Sequence, residues 1–201
     1  MNGTTNGHTD GVRGTPFAFR DHPVDEGRKI RVVIIGAGLS GIALYIRLLQ
    51  HVPGASITVF EKNPCVGGTW YENRYPGVGC DIPSHVYQYT LEPNKEWSKF
   101  FAGGAEILTY IQGVAKKYGV DRKVKYNTTV TGAEWDESEG VWNITANRVE
   151  NGSTSRVETQ AEVLISAVGI LNNWKWPNID GLHDFEGKLL HSANWDSEWY
   201  F

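Results

Sequence analysis

The sequence predicts an α/β protein in three layers, with a parallel sheet and an antiparallel β-meander. Three observations carry this. Lys29–Ile35 (KIRVVII) and Ser56–Phe60 (SITVF) are short β-branched runs without polar alternation, as strands buried on both faces require. Between them lies a helical pattern, so the three segments make one βαβ unit of about 30 residues. Further along, three β-prone stretches follow one another across tight turn sequences, the mark of a meander.

The elements follow in order. Residues 1–28 are rich in Gly, Thr, Asn and Asp and read as a flexible arm. The first strand runs straight into GAGLSG. Ile42, Leu44, Tyr45, Ile46, Leu48 and Leu49 then supply the apolar positions of a helix that Pro53-Gly54 stops. The second strand ends at Glu61. Residues 63–93 are dense in Gly, Pro, Trp and Tyr, an excursion of about 30 residues that a compact domain keeps only for a function. Ile107, Leu108, Ile111, Val114, Ala115 and Tyr118 recur at helical spacing within Gly104–Tyr118, and Gly119 ends that helix. Lys125–Trp135, Val141–Val149 and Ser155–Thr159 form the expected meander, turning at Asp136–Gly140 and Glu150–Gly152. Glu162–Val168 (EVLISAV) reads as a strand returning to the parallel sheet, and from Gly169 onward the chain is loop with aromatics.

Composition excludes several classes. With 201 residues, 40% of them apolar and 21% charged, the chain has the balance of a globular protein with its own core. No apolar run approaches the ~18 residues that cross a bilayer. A net charge of −4 argues against a duplex-DNA partner, which calls for a clustered basic face. Cys65 and Cys80 are too few for a disulfide framework, and His8, His22, His51, His85 and His183 lack metal-ligand spacing, so no metal site is expected. The opening MNGTTNGHTDGVRGT has neither the charge nor the apolar core of a secretion signal, which points to the cytoplasm. The N-x-[ST] matches at Asn2, Asn127, Asn143 and Asn151 then carry no weight.

Gly36-Ala37-Gly38-Leu39-Ser40-Gly41 fits G-x-G-x-x-G between a buried strand and a helix. In that setting Gly36 makes the tight turn, Gly38 lets backbone approach a pyrophosphate, and Gly41 lets helix and strand pack closely. The helix N-terminus offers free N–H groups to the anion. Glu61 closes the second strand 20 residues beyond Gly41, where its carboxylate accepts from both ribose hydroxyls and repels a 2′-phosphate. This favours FAD or NAD over NADP. Gly67-Gly68 follows soon after, and the chain then enters the aromatic excursion instead of another βαβ unit. That plan resembles flavoproteins with two dinucleotide-binding domains of the glutathione-reductase type, and makes FAD the expected cofactor.

Two longer patterns sharpen the resemblance. Gly67-Gly68-x-Trp70-x-x-x-x-Tyr75-Pro76-Gly77-x-x-x-Asp81 is similar to the second motif of Baeyer–Villiger monooxygenases. Phe185-x-Gly187-x-x-x-His191-x-x-x-Trp195-Asp196 resembles their fingerprint, and ENRYPGVGCDIPSHVYQY looks most like members acting on fungal polyketide and terpenoid ketones. The resemblance spans about Lys29 to Trp195. It implies that Gly68, Thr69, Trp70, Tyr71 and Glu72 lie along FAD. It places Asp81, Ile82 and Tyr87 toward the isoalloxazine, Gly79, Cys80 and Asp81 toward NADP, and the Val130 backbone at the adenine. Phe185, Gly187, His191 and Trp195 belong, by the same resemblance, to a linker that couples cofactor binding to domain movement. No catalytic acid, base or nucleophile is assigned.

In that family a second strand–GxGxxG–helix unit for NADPH follows the fingerprint, as does an arginine of the reaction site. Neither is found between Trp195 and Phe201. The expected organisation is an arm over 1–28, a Rossmann-like FAD-binding domain with meander over 29–170, and a linker over 171–201 stopping before the NADPH domain. The expected activity is FAD-dependent, NADPH- and O₂-using oxygen insertion into a hydrophobic ketone. The alternative is a truncated flavoprotein-fold pathway protein without redox activity, such as a cyclase, isomerase or accessory subunit. A second flavoprotein chain or another copy of this chain are the protein partners left open; no nucleic acid and no membrane are expected.

Overall fold

The computed structural model describes residues 29–198; the expected arm over 1–28 lies outside them. The β-branched run condenses into β1 (Arg31–Ile35), and α1 (Leu39–His51) and β2 (Ser56–Phe60) complete the βαβ unit. Two residues of the excursion's glycine pair lead into a single helical turn, α2 (Thr69–Glu72), after which irregular chain runs to α3 (Gly104–Lys117). Then come β3 (Val124–Lys125), β4 (Thr128–Asp136), β5 (Val141–Glu150), β6 (Ser153–Ala161) and β7 (Val163–Ser166).

The parallel sheet has the order β3-β2-β1-β7, and β4-β5-β6 form the antiparallel meander. Alternation along β1 explains the three layers. Val32 and Ile34 point to one face, where they join Ile42 and Ile46 of α1 and Ile107 and Ile111 of α3. Val33 points to the other, where it meets Phe60 and the meander residues Ile144 and Ala161. One strand thus feeds both cores, which is why its sequence lacks a polar face.

Several boundaries differ from the sequence expectation. Lys125 belongs to β3, which pairs parallel with β2, and the meander begins only at Thr128. The break is Asn127, whose φ of +51° turns the chain. Leu49, assigned to the apolar face of α1, is 51% exposed; the buried stripe is Gly41, Ile42, Tyr45 and Ile46. The turns fall as expected, with Gly140 and the Asn151-Gly152 pair at positive φ.

Arg31 and Glu162 pin β1 to β7 at the end of the sheet remote from the glycine turn. The Glu162 carboxylate accepts from the Arg31 guanidinium at 2.6 Å and from the Arg31 backbone N–H at 2.6 Å. The Arg31 side-chain hydrogen bond, followed by its backbone N–H, holds the Glu162 carboxyl down to about 2. Because the folded value lies below the ordinary one, this stabilisation is complete above the ordinary carboxylate range and fades as pH falls toward about 2. Glu162→Gln is therefore expected to lower the melting temperature by roughly 2 °C at neutral pH, the pair being largely solvent-exposed. That deficit should shrink steadily in melts run from pH 5 to pH 2; a deficit independent of pH would show that charge plays no part.

Candidate functional site

The C-terminal edge of the parallel sheet carries the site. β1 ends at Ile35 and the chain turns at Gly36, whose φ is +100° and whose N–H donates to Phe60 O at 2.7 Å. A Cβ on Gly36 would sit 2.6 Å from the Ala167 carbonyl oxygen, and one on Gly41 would overlap the carbonyl oxygen of Gly36. Both glycines are therefore demanded by the protein's own packing. Gly38 differs. It has an ordinary φ of −78°, and its Cβ would meet nothing nearer than Gly68 Cα at 3.5 Å. What Gly38 keeps clear is the approach to α1, whose N-terminus no side-chain oxygen caps. Uncapped first-turn N–H groups and a bare backbone are what a diphosphate requires.

Ala37, between these glycines, is fixed from both sides. Its N–H donates to Glu61 Oε2 at 2.7 Å, and its carbonyl accepts from Gly67 N–H at 3.0 Å. Glu61 is only 4% exposed, and its other oxygen accepts from Asn63 N–H at 2.8 Å. The carboxylate is thereby held in one orientation at the end of β2, beside the turn. Gly68, with φ +54°, approaches so closely that its Cβ would stand 3.0 Å from Gly38 Cα. Gly36, Gly38, Gly41, Glu61 and Gly68 thus converge on one cradle, and these residues fit the diphosphate and ribose of a dinucleotide.

The remaining motif residues are arranged around the excursion. Thr69 opens α2; Tyr71 carries the Arg74 guanidinium over its ring at 4.5 Å. Trp70 is buried in the helix-side core, where its indole N–H donates to the Tyr87 hydroxyl at 3.0 Å with the rings edge to face. Burial raises the Tyr87 phenol above its ordinary value, so it keeps its proton at neutral pH. Gly79 bridges to Gly103. Cys80 is buried and donates its backbone N–H to Ala102 O, whereas Asp81 and Ile82 reach the surface. Val130 lies where the β4–β5 register shifts, between Val130 and Gly132, so the ladder is interrupted beside its backbone.

The fingerprint residues form a second group. The Phe185 ring occupies the place a Cβ on Gly187 would take, which accounts for that glycine. His191 lies between two indoles: Trp174 tilts against it at 4.7 Å, and Trp176 meets it edge-on at 5.4 Å. Its Nδ1 accepts from Ala193 N–H at 3.1 Å. Trp195 is partly buried.

Sequence reasoning passed over Ser84, whose Oγ accepts the buried Ala102 N–H at 2.8 Å and donates toward Phe100 O at 2.9 Å. It fastens the excursion to the start of α3. It also passed over Trp174 and Trp176, although two tryptophans one residue apart ahead of the fingerprint were a signal in themselves. Among the described residues no group of His, Cys, Asp and Glu is placed to hold a metal, and no helix is long and apolar enough to cross a membrane.

Comparison with known proteins bears on the same residues. Residues 34–103 match the family described as NAD(P)-binding Rossmann-like domain. The chain is 48% identical over 174 residues to the FAD-binding monooxygenase tazF of Aspergillus terreus, covering 86% of this chain and 30% of that one. It is 38% identical over 172 residues to a Baeyer-Villiger monooxygenase of Pseudomonas aeruginosa, covering 86% and 31%. Among solved structures, an OTEMO complex with FAD and NADP superposes with a TM-score of 0.73 at 33% identity, over 85% of this chain and 31% of that one. The chain thus spans about 30% of the length of the relatives it matches.

Proposed function

We infer that this chain, a relative of the flavin-dependent Baeyer–Villiger monooxygenases, binds FAD and forms the flavin-holding part of a cytoplasmic monooxygenase. The observation that carries the reading is the cradle. Gly38 is bare although nothing in the protein opposes a side chain there, it is itself the N-cap of α1 and so leaves that N-terminus without a side-chain cap, and a buried acid is held beside it. Backbone N–H groups of the first turn of α1 would take the diphosphate, and the free lone pairs of Glu61 would take the adenosine ribose. The interrupted ladder at Val130 leaves backbone for the adenine, and the excursion from Thr69 to Tyr87 would run along the flavin. When bound, the flavin supplies the redox chemistry by which NADPH and O₂ deliver one oxygen atom to the substrate.

The substrate class we assign is a hydrophobic ketone of polyketide or terpenoid type, converted to an ester or lactone. Residues 29–170 constitute the FAD-binding unit and 171–201 the linker. Gly79, Cys80 and Asp81 would face NADPH, whose site is incomplete in these 201 residues, and most of the substrate pocket is assigned to polypeptide outside them.

The test is the visible spectrum of the purified protein after reconstitution with FAD and desalting. Retained flavin near one per chain is the expected result. No flavin retained at any concentration, with the fold intact by circular dichroism, would overturn the reading. Ketone-dependent NADPH oxidation, measured on the chain alone and with a full-length relative lacking its own flavin motif, then locates the rest of the activity.

A further inference from the structure

Lys62 and Glu72 close a triangle of polar contacts with Asn172, which lies 100 residues beyond Glu72. The Lys62 ammonium is 2.8 Å from Glu72 Oε1 and donates to Asn172 Oδ1 at 2.8 Å. The Asn172 amide donates to the other Glu72 oxygen at 3.1 Å. Asn63 holds Glu72 from below, its amide donating to Oε1 at 2.8 Å. None of these contacts is needed to satisfy a buried backbone group, and the side chains of Lys62 and Glu72 remain 42% and 19% exposed.

Topology shows where the triangle stands. β1 lies between β2 and β7, and all three strands run parallel. Their C-terminal ends therefore stand in a row, with the glycine turn rising from the middle one. Lys62 lies just beyond β2 and Asn172 beyond β7, strands two spacings, about 10 Å, apart, so their bond joins the segments that leave the sheet on either side of β1. Glu72 closes α2, which begins at Gly68, the residue packed on Gly38. The polar triangle is a strap across the mouth of the cradle.

We propose that this strap is a kinetic latch on the dinucleotide, a role that rests on the FAD reading above. A ligand reaching the glycine turn passes beneath the Lys62–Asn172 bond in either direction. Breaking the strap eases entry and exit alike. A latch of this kind sets how long the flavin stays and leaves its affinity nearly unchanged. Lys62 and Asn172 act by restraining the segment after β7 and make no contact with the cofactor in this role, while Glu72 anchors them from the excursion.

The experiment uses the whole chain with Asn172→Ala, Lys62→Ala and the double variant. Flavin association is followed by fluorescence quenching in stopped flow, and dissociation by dilution into an excess of an FAD-specific apoprotein, apo-glucose oxidase. Two charge-assisted contacts at a half-exposed site predict rates faster by roughly five- to tenfold in both directions, with their ratio changed less than about twofold. The double variant should be no faster than Asn172→Ala, which removes both contacts of that side chain, whereas Lys62→Ala leaves the Asn172–Glu72 bond and should be the slower single. Unchanged rates would overturn the proposal. So would a rise in dissociation alone, which would mark these residues as ligand contacts. Amide hydrogen exchange in flavin-free protein keeps the two readings apart. The Ala167 amide, bonded to the Ile35 carbonyl at the end of β7, and the Glu72 amide of α2 should be protected in the native chain and exchange about fivefold faster in the variants. If native protein takes up no flavin, the FAD reading fails while that exchange difference still reports the strap; no difference would dispose of the strap whatever binds.

Discussion

Gly41→Ala is expected to lower the melting temperature by about 10 °C, whereas Gly38→Ala, three residues earlier in the same motif, should move it by no more than about 2 °C. The two glycines answer to different neighbours. A methyl at Gly41 would overlap the carbonyl oxygen of Gly36, an atom of the turn itself, and no side-chain rotation can relieve it. Either the turn opens or α1 backs away from β1, which unpacks Ile42 and Ile46 from Ile34. Such overpacking costs on the order of 3 kcal/mol. A methyl at Gly38 finds its nearest protein atom at 3.5 Å, an ordinary contact. Its cost falls on the ligand: it stands where backbone must meet the diphosphate and should weaken FAD by roughly 10- to 100-fold. Thermal melts and flavin titrations of both variants check the pair. Equal stability losses, or undiminished flavin binding by Gly38→Ala, would show that the motif is only a structural turn.

That contrast also explains what was legible in the residues. Features governed by local geometry could be read directly. β2 falls on Ser56–Phe60 as expected because a β-branched run between Gly54 and Glu61 has one solution, and the turns at Gly140 and Asn151-Gly152 follow from the need for positive φ. Features set by distant partners could not. β3 is two residues long and exists only because β2 offers it an edge; its own sequence looks like the start of the meander. A motif tryptophan at position 70 suits a flavin face and a core equally, and only the fold reveals Tyr87 as the partner of its N–H. Asn172 and Glu72 are separated by 100 residues and meet because β7 inserts beside β1. The glycine turn of the cradle was readable since its demands are written within six consecutive residues, and the strap was not since it is a product of strand order.

Glu61→Gln is the second substitution with a large expected effect, and it tests the cradle from the ribose side. The native carboxylate accepts two backbone N–H groups, Ala37 on one oxygen and Asn63 on the other. An amide has one oxygen, so one of these donors would face an NH₂ group within a site that is 4% exposed. Leaving a buried donor unpaired costs about 1–3 kcal/mol, which corresponds to a fall of roughly 3–10 °C in melting temperature. The same exchange removes a charge-assisted acceptor from the adenosine ribose, worth a further 10- to 100-fold in FAD affinity. Stability loss alone could lower binding, so the decisive measurement is selectivity. Calorimetric titration with AMP and with adenosine 2′,5′-bisphosphate, which differ only in the 2′-phosphate, should show native protein strongly preferring AMP, because the fixed negative charge repels a 2′-phosphate. In Glu61→Gln that preference should shrink by about tenfold, even after both affinities are scaled for the weaker fold. A native protein indifferent to the 2′-phosphate would mean that the acid at the end of β2 serves only to brace Ala37, and that the sugar, if one is bound, lies elsewhere.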